Sequence, residues 1–314
     1  MACKWSDTLN VMIRTVNGDI ASESITGAYM HEHLIIDSNI VRKQMPHIFL
    51  DSVDAAITEV SACKENSINL FLDCMPRDSG QNITKLREIS SRAGVHIVAS
   101  AGMHNPKYYA SDSIYLSANR EQYFDLIVED ITQRNCGVIK IHTVDTKPNQ
   151  REIELFAGAV QAQKTTGAPI LTHCENGLGA IQQIELLNSL GADLRYVVLS
   201  HTDKEPNRTY HHEILDSGIN VEYDQCLRQL DMVDKQSLLL TIEMCTAGYD
   251  SQIMLGTDGA RRSLWKSLGG SPGLQALSCD WRTLLKEAGL SLEVLELLFK
   301  VNPQRFLTFS EPQS

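Results

Sequence analysis

Met30-His31-Glu32-His33-Leu34 follows the apolar approach Gly27-Ala28-Tyr29 and sets two histidines two residues apart. On a β-strand alternate side chains share a face, so His31 and His33 point the same way and can reach one cation together. Neutral imidazole is a common ligand for zinc-like ions. The pair alone does not separate a metal site from an incidental polar strand end. Further ligands have to come from elsewhere in the chain, at matching places.

Outward from this stretch, short apolar runs alternate with longer amphipathic ones. Eight runs read as strands: 27–34, 68–75, 95–101, 137–142, 169–173, 196–201, 219–223 and 253–257. Val95-His96-Ile97-Val98-Ala99 and Tyr196-Val197-Val198-Leu199-Ser200 carry the β-branched content of buried parallel strands. Helical stretches are expected over 52–65, with Asp51 as N-cap, and over 82–93, 119–134, 151–166, 180–190 and 208–217. Gly94, Gly167, Gly191 and Gly218 repeat one helix–glycine–strand joint. The alternation predicts a parallel sheet, closed into a barrel or doubly wound. The first strand is followed by no G-x-G-x-x-G and the chain has no G-x-x-x-x-G-K, which favours the barrel over a nucleotide-binding sheet. Val11-Met12-Ile13-Arg14-Thr15 and Val16-Asn17-Gly18-Asp19-Ile20 read as a hairpin turned at Asn17-Gly18. No linker or shift of composition divides the chain. The expected fold is therefore α/β: residues 1–25 form an N-terminal hairpin extension, and residues 26–314 one (β/α)8 TIM barrel.

Composition narrows the function. A hydrophobic fraction of 43% and a charged fraction of 21% are those of a soluble globular protein. A net charge of −11 argues against a nucleic-acid partner, which needs a basic footprint. No apolar run is long enough for a membrane span, and the start Met-Ala-Cys-Lys-Trp-Ser-Asp lacks the apolar core of a signal peptide. The eight cysteines are scattered, with no Cys-x-x-Cys. A cytoplasmic protein with reduced thiols is expected.

In a (β/α)8 barrel the chemistry sits at the C-terminal ends of the strands. The first strand ends in His31 and His33, the fourth carries Lys140, the fifth ends in His173, the sixth in His201, and the eighth runs into Asp258. Each has a plain structural alternative: a polar strand end for a histidine, a snorkelling side chain for Lys140, a helix cap for Asp258. Their joint occurrence at strand ends, with none inside a helix, makes a metal site the expectation.

Gly27-Ala28-Tyr29-Met30-His31-Glu32-His33-Leu34, Val138-Ile139-Lys140, Leu171-Thr172-His173, Leu199-Ser200-His201 and Gly256-Thr257-Asp258 together resemble the phosphotriesterase family of the amidohydrolase superfamily. Asn302-Pro303-Gln304-Arg305-Phe306 resembles that family's closing helix. The resemblance spans about residues 18–308 and implies a binuclear centre. His31, His33 and Asp258 would hold the more buried ion, His173 and His201 the more exposed one, and Lys140, carboxylated by CO2, would bridge both. The ions would be zinc, with manganese or cobalt also suited to the donor set. The resemblance further implies hydrolysis by a hydroxide held between the ions, with Asp258 as the catalytic residue that accepts its proton. Glu32 points to the other face of the strand and reads as a supporting residue. Similar proteins are often homodimers.

Substrate choice should lie in the loops after the strands. After the eighth come Arg261, Arg262 and Lys266, then Gly269-Gly270-Ser271-Pro272-Gly273-Leu274. Three cations and a turn with free N–H groups suggest substrate binding through an anion, and the glycine pattern is similar to family members that open phosphorylated sugar lactones. Family lactonases acting on acyl-homoserine lactones carry an arginine soon after the seventh strand and a tyrosine after the third. Here Arg228, Tyr108 and Tyr109 lie further along, which argues against that substrate. The expected function is metal-dependent opening of a small anionic lactone. The alternatives are a phosphotriesterase or other ester hydrolase on the same centre, and a non-catalytic metal-binding protein.

Overall fold

The computed structural model describes residues 12–312; residues 1–11 and 313–314, including Val11 of the expected hairpin and Cys3, lie outside the described residues. Strands β1 (Met12–Thr15) and β2 (Gly18–Ala21) pair antiparallel, so the expected hairpin is present, but its two-residue turn is Val16-Asn17, one residue earlier than Asn17-Gly18, because Gly18 already pairs with Thr15. Eight parallel strands follow: β3 (Ala28–Glu32), β4 (Leu70–Asp73), β5 (His96–Gly102), β6 (Cys136–Thr143), β7 (Ile170–Cys174), β8 (Val197–Ser200), β9 (Asn220–Tyr223) and β10 (Ile253–Leu255). They pair in sequence order from β3 to β10. The ring is completed where Thr257 and Asp258 donate their N–H groups to the His31 carbonyl at 3.2 and 3.0 Å. Gly256 permits this approach, since a Cβ there would lie 2.7 Å from the backbone nitrogen of His31.

The barrel interior is filled by Ala28, Met30, Leu70, Leu72, Val98, Val138, Leu171, Val198 and Met254. Ile13 and Ile25 from the N-terminal segment and Phe306 from the last helix join this cluster. Val16 donates to the Ile97 carbonyl at 2.9 Å. The hairpin and the closing helix thus plug the N-terminal end of the barrel, and the opposite end carries the polar strand ends.

Helices between the strands include Val53–Lys64, Ile83–Ala93, Arg120–Gln133, Gln150–Thr166, Ala180–Leu190 and Arg208–Asp216. One expectation needs correction. The first of these is capped by Ser52, whose hydroxyl accepts from Ala55 N–H at 3.2 Å, and not by Asp51. The helix starts one residue later than expected, and the Asp51 carbonyl instead accepts from Lys85. Gly94, Gly167 and Gly191 close their helices in the left-handed region. Among the described residues no helix is long and apolar enough to cross a membrane.

Candidate metal centre

Strand β3 contains a local irregularity that aims the histidines. Ala28 and Met30 face the barrel interior, so strict alternation would send His31 and His33 outward. Ala28 pairs with Leu70 and Tyr29 with Phe71, but Glu32 pairs with Asp73, so two residues on β3 oppose one on β4. This bulge switches the face. His31 and His33 then turn inward, while Glu32 turns away and accepts the Thr257 N–H at 3.0 Å and its hydroxyl. On β6 and β7 no correction is needed: Val138 and Lys140 share the interior face, as do Leu171 and His173.

The six residues converge. Ring centroids lie 5.3 Å apart for His31 and His33, 4.6 Å for His31 and His201, and 4.5 Å for His173 and His201. Donor atoms of His31, His33 and Asp258 all fall within 4.8 Å of one another, and so do those of His31, His201 and Asp224. Lys140 is fully buried, and its Nζ has no hydrogen-bond partner. His31 Nε2 and His173 Nδ1 are likewise buried and unpartnered. A buried polar atom left unpaired costs about 1–3 kcal/mol, so several in one cluster, Lys140 Nζ among them, fit a cation site.

Carboxylates stand behind three of the histidines. Glu222 Oε1 approaches His31 Nδ1 at 2.7 Å, Asp224 Oδ2 approaches His201 Nδ1 at 2.7 Å, and Glu175 Oε2 accepts from His173 Nε2 at 3.0 Å. Such partners orient an imidazole and leave its other nitrogen for an ion: Nε2 in His31 and His201, Nδ1 in His173. Asp224 is itself held, because Asp203 accepts the N–H groups of Asp224 and Gln225 at 3.0 Å and the Ser237 hydroxyl at 2.6 Å.

Asp258 lies between His33 Nε2 at 3.4 Å and Arg228 Nη2 at 3.0 Å. Burial by itself would raise its carboxyl; Arg228, then His201 and His33, outweigh burial and hold it well below the usual carboxylate range. His201 and Asp258 both have positive φ, 66° and 43°. Non-glycine residues rarely adopt this region, and strain of this kind persists where the surroundings over-determine it. Here the His201 N–H is held by Asp224 at 3.0 Å and the Asp258 N–H by the His31 carbonyl.

A profile of the phosphotriesterase family matches residues 11–307. The chain belongs to the phosphotriesterase family. Membership makes it a hydrolase on a TIM-barrel scaffold. It is 25% identical to a phospho-furanose lactonase of Mycoplasmopsis agalactiae over 96% of this chain and 92% of that one. It is 26% identical to an aryldialkylphosphatase of Saccharolobus solfataricus over 92% of this chain and 97% of that one. The crystal structure of an amidohydrolase from Mycoplasma synoviae superposes with a TM-score of 0.91, covering 97% of this chain and 94% of that one at 24% identity, which supports the fold.

This phosphotriesterase-family site contains residues that the sequence reading set aside as displaced, Arg228 and Tyr108, and others it did not single out. Arg228 stands three residues beyond the end of the strand-seven motif Tyr223-Asp224-Gln225. The short helix Cys226–Gln229 nevertheless returns it to Asp258, where it also donates to the carbonyls of Thr257 and Asp258. Tyr108 stacks on His104 at 4.8 Å, and His104 meets His173 edge-on at 5.1 Å. Displacement along the sequence is therefore not displacement in space. Glu222 and Asp224 had a legible signal: acids two apart at the end of a buried strand share one face.

The loop after β10 is arranged differently from the site. Arg262 donates to the Phe49 carbonyl at 3.0 Å, while Arg261 and Lys266 are exposed. Among the described residues none of the three makes a polar contact to the histidine cluster. The glycine-rich turn already serves an internal anion: buried Glu59 accepts the N–H groups of Ser267 and Leu274 at 2.7 and 2.9 Å.

Two outcomes follow from the electrostatics. Burial, then His173, holds His142 down to about 3, and burial, then His201, lowers His173. A base whose folded pKa is depressed binds fewer protons folded than unfolded, so stability is complete above about 6.5 and is lost as pH falls toward the folded value. Each such histidine should remove about 1.4 kcal/mol per pH unit across that window. The melting temperature of metal-free protein should therefore drop steeply between pH 7 and 5, and a flat profile there would contradict the burial argument. Separately, Arg228→Met removes the largest influence that lowers the Asp258 carboxyl. The acidic limb of kcat/KM should move upward by about one pH unit or more; an unmoved limb would show that Arg228 does not tune Asp258.

Proposed function

We propose that this chain is a binuclear metal-dependent hydrolase that opens a small anionic lactone, with a phosphorylated sugar lactone as the favoured substrate. The observation that carries this reading is the convergence of His31, His33, Lys140, His173, His201 and Asp258 at one barrel rim, with buried nitrogens left unpaired. The name of the phospho-furanose lactonase relative, matched along nearly the whole chain, supports the substrate class. Two bound divalent ions would supply Lewis acidity and a water acidic enough to be activated near neutral pH. His31, His33, His173, His201 and Asp258 would hold them, together with Lys140 in its carboxylated form. Asp258, kept ionised by Arg228, accepts the proton of the attacking water and passes it to the departing alkoxide of the ring. His104 and Tyr108 wall the mouth. Arg261, Arg262 and Lys266, on the loop after β10, are assigned to the substrate's anionic group.

The second reading is phosphotriester hydrolysis, supported by the aryldialkylphosphatase relative. The polar mouth formed by His104, Glu175 and Arg228 favours a polar lactone over an apolar phosphotriester. The test is metal analysis followed by a pH-indicator screen of sugar lactones with and without a phosphate, plain esters and aryl phosphotriesters. Two ions per chain and preferential turnover of the phosphorylated lactones are expected. Absence of turnover on every ester with two ions bound would overturn the enzyme reading. Equal turnover with and without the phosphate would remove the role of Arg261, Arg262 and Lys266.

A further inference from the structure

Nine acidic side chains of this chain are buried among the described residues: Glu32, Glu59, Asp73, Asp130, Glu152, Asp203, Glu222, Asp224 and Asp258. Eight of them are answered by donors or cations. Glu32 receives Thr257, Glu59 two backbone N–H groups, Asp73 the N–H groups of Leu34 and Met75, and Glu152 those of Val144 and Asn149. Asp130 sits between Arg77 and Arg134, Asp203 takes Ser237, Asp224 takes His201 N–H, and Asp258 takes Arg228. Glu222 is the exception. It lies on β9 between Val221 and Tyr223, fully buried, and neither of its oxygens has a hydrogen-bond partner. Its one close polar neighbour is His31 Nδ1 at 2.7 Å.

A carboxylate taken out of water without donors is strongly disfavoured unless positive charge stands beside it. We propose that Glu222 is a positioning residue of the metal centre, which fixes the His31 ring with Nε2 toward the ion and supplies the buried countercharge the ions require. The inference rests on the metal-centre reading above. The chemistry is that of a carboxylate–histidine–metal relay. An imidazole that gives its Nε2 lone pair to a cation becomes a stronger donor at Nδ1, and the carboxylate there raises its basicity as a ligand. Glu222 and Glu32 therefore have opposite roles although both are buried beside His31 in the chain or in space. Glu32 ties β3 to β10 whether or not ions are bound. Glu222 has no hydrogen-bond donor of its own, and without ions Lys140 is the cation that acts on it.

The test compares Glu222→Gln, Glu222→Asp and Glu32→Gln, each stripped of metal and then titrated with zinc against a chromophoric chelator. Zinc binding by Glu222→Gln should weaken about 10- to 100-fold. The melting temperature of the stripped variant should stay within about 3 °C of stripped wild type, because the glutamine oxygen still offers His31 Nδ1 an acceptor. Glu222→Asp, which keeps the charge but withdraws it from His31, should also bind zinc more weakly. Glu32→Gln should lower the melting temperature of stripped and loaded protein alike. Zinc affinity of Glu222→Gln within twofold of wild type would overturn the proposal. So would an equal loss of melting temperature in its stripped and loaded forms, which marks a purely structural residue. Wild-type protein that takes up no zinc would instead refute the metal centre itself.

Discussion

Asp258→Asn is expected to lower kcat by about 10³-fold, near the middle of the range for a positioned general base, while most of the metal stays bound. An asparagine carbonyl oxygen can still meet a cation and still accept from Arg228, which stands 3.0 Å from the native carboxylate. It cannot take a proton. The native group can, because Arg228, His201 and His33 together offset the effect of burial and leave the carboxyl ionised. The measurement is kcat on the best lactone, with metal content per chain determined on the same sample. A variant with normal turnover would show that the proton goes elsewhere. A variant that loses turnover together with its metal would make Asp258 a ligand alone.

Lys140 yields the second large effect. Its side chain is fully buried, with Nζ unpartnered, on the same interior face of β6 as Val138 and beside the histidines of β7. As an ammonium it would repel two cations; as a carbamate it would join them. Lys140→Met fills the same volume with no charge. It should bind fewer than two ions per chain and lose about 10³-fold or more in kcat/KM, since ions that stabilise developing charge are worth several kcal/mol. Lys140→Glu places a shorter anion at the same point and should recover part of the metal. Metal stoichiometry by elemental analysis decides the matter. Two ions bound by Lys140→Met would remove the bridge from the site.

The barrel was legible because its signals are local. Apolar runs at regular spacing, helix-closing glycines and the Asn17-Gly18 hairpin signal each act within a few residues, and the strands appear where the runs are. The candidate ligands were legible for the same reason, being the polar residues that end those runs. The N-cap at Ser52 was missed because two adjacent residues of the Asp51-Ser52 pair can both cap, and helix geometry chose the second.

What the sequence determined by itself is the order of strands and the identity of the residues carried to the rim, since both follow from short-range pattern and backbone period. The tertiary structure decided which way they point and what stands beside them. The bulge opposite β4 turns His31 and His33 inward, against the alternation that Ala28 and Met30 begin. Closure between β3 and β10 gives Glu32 to Thr257 and sets Asp258 within reach of His33. The helix after β9 returns Arg228 to Asp258, and Glu59 occupies the turn whose N–H groups a substrate anion would otherwise meet. These contacts join residues about 30 to more than 200 positions apart. They exist only after the ring of strands has closed, and no local periodicity encodes them.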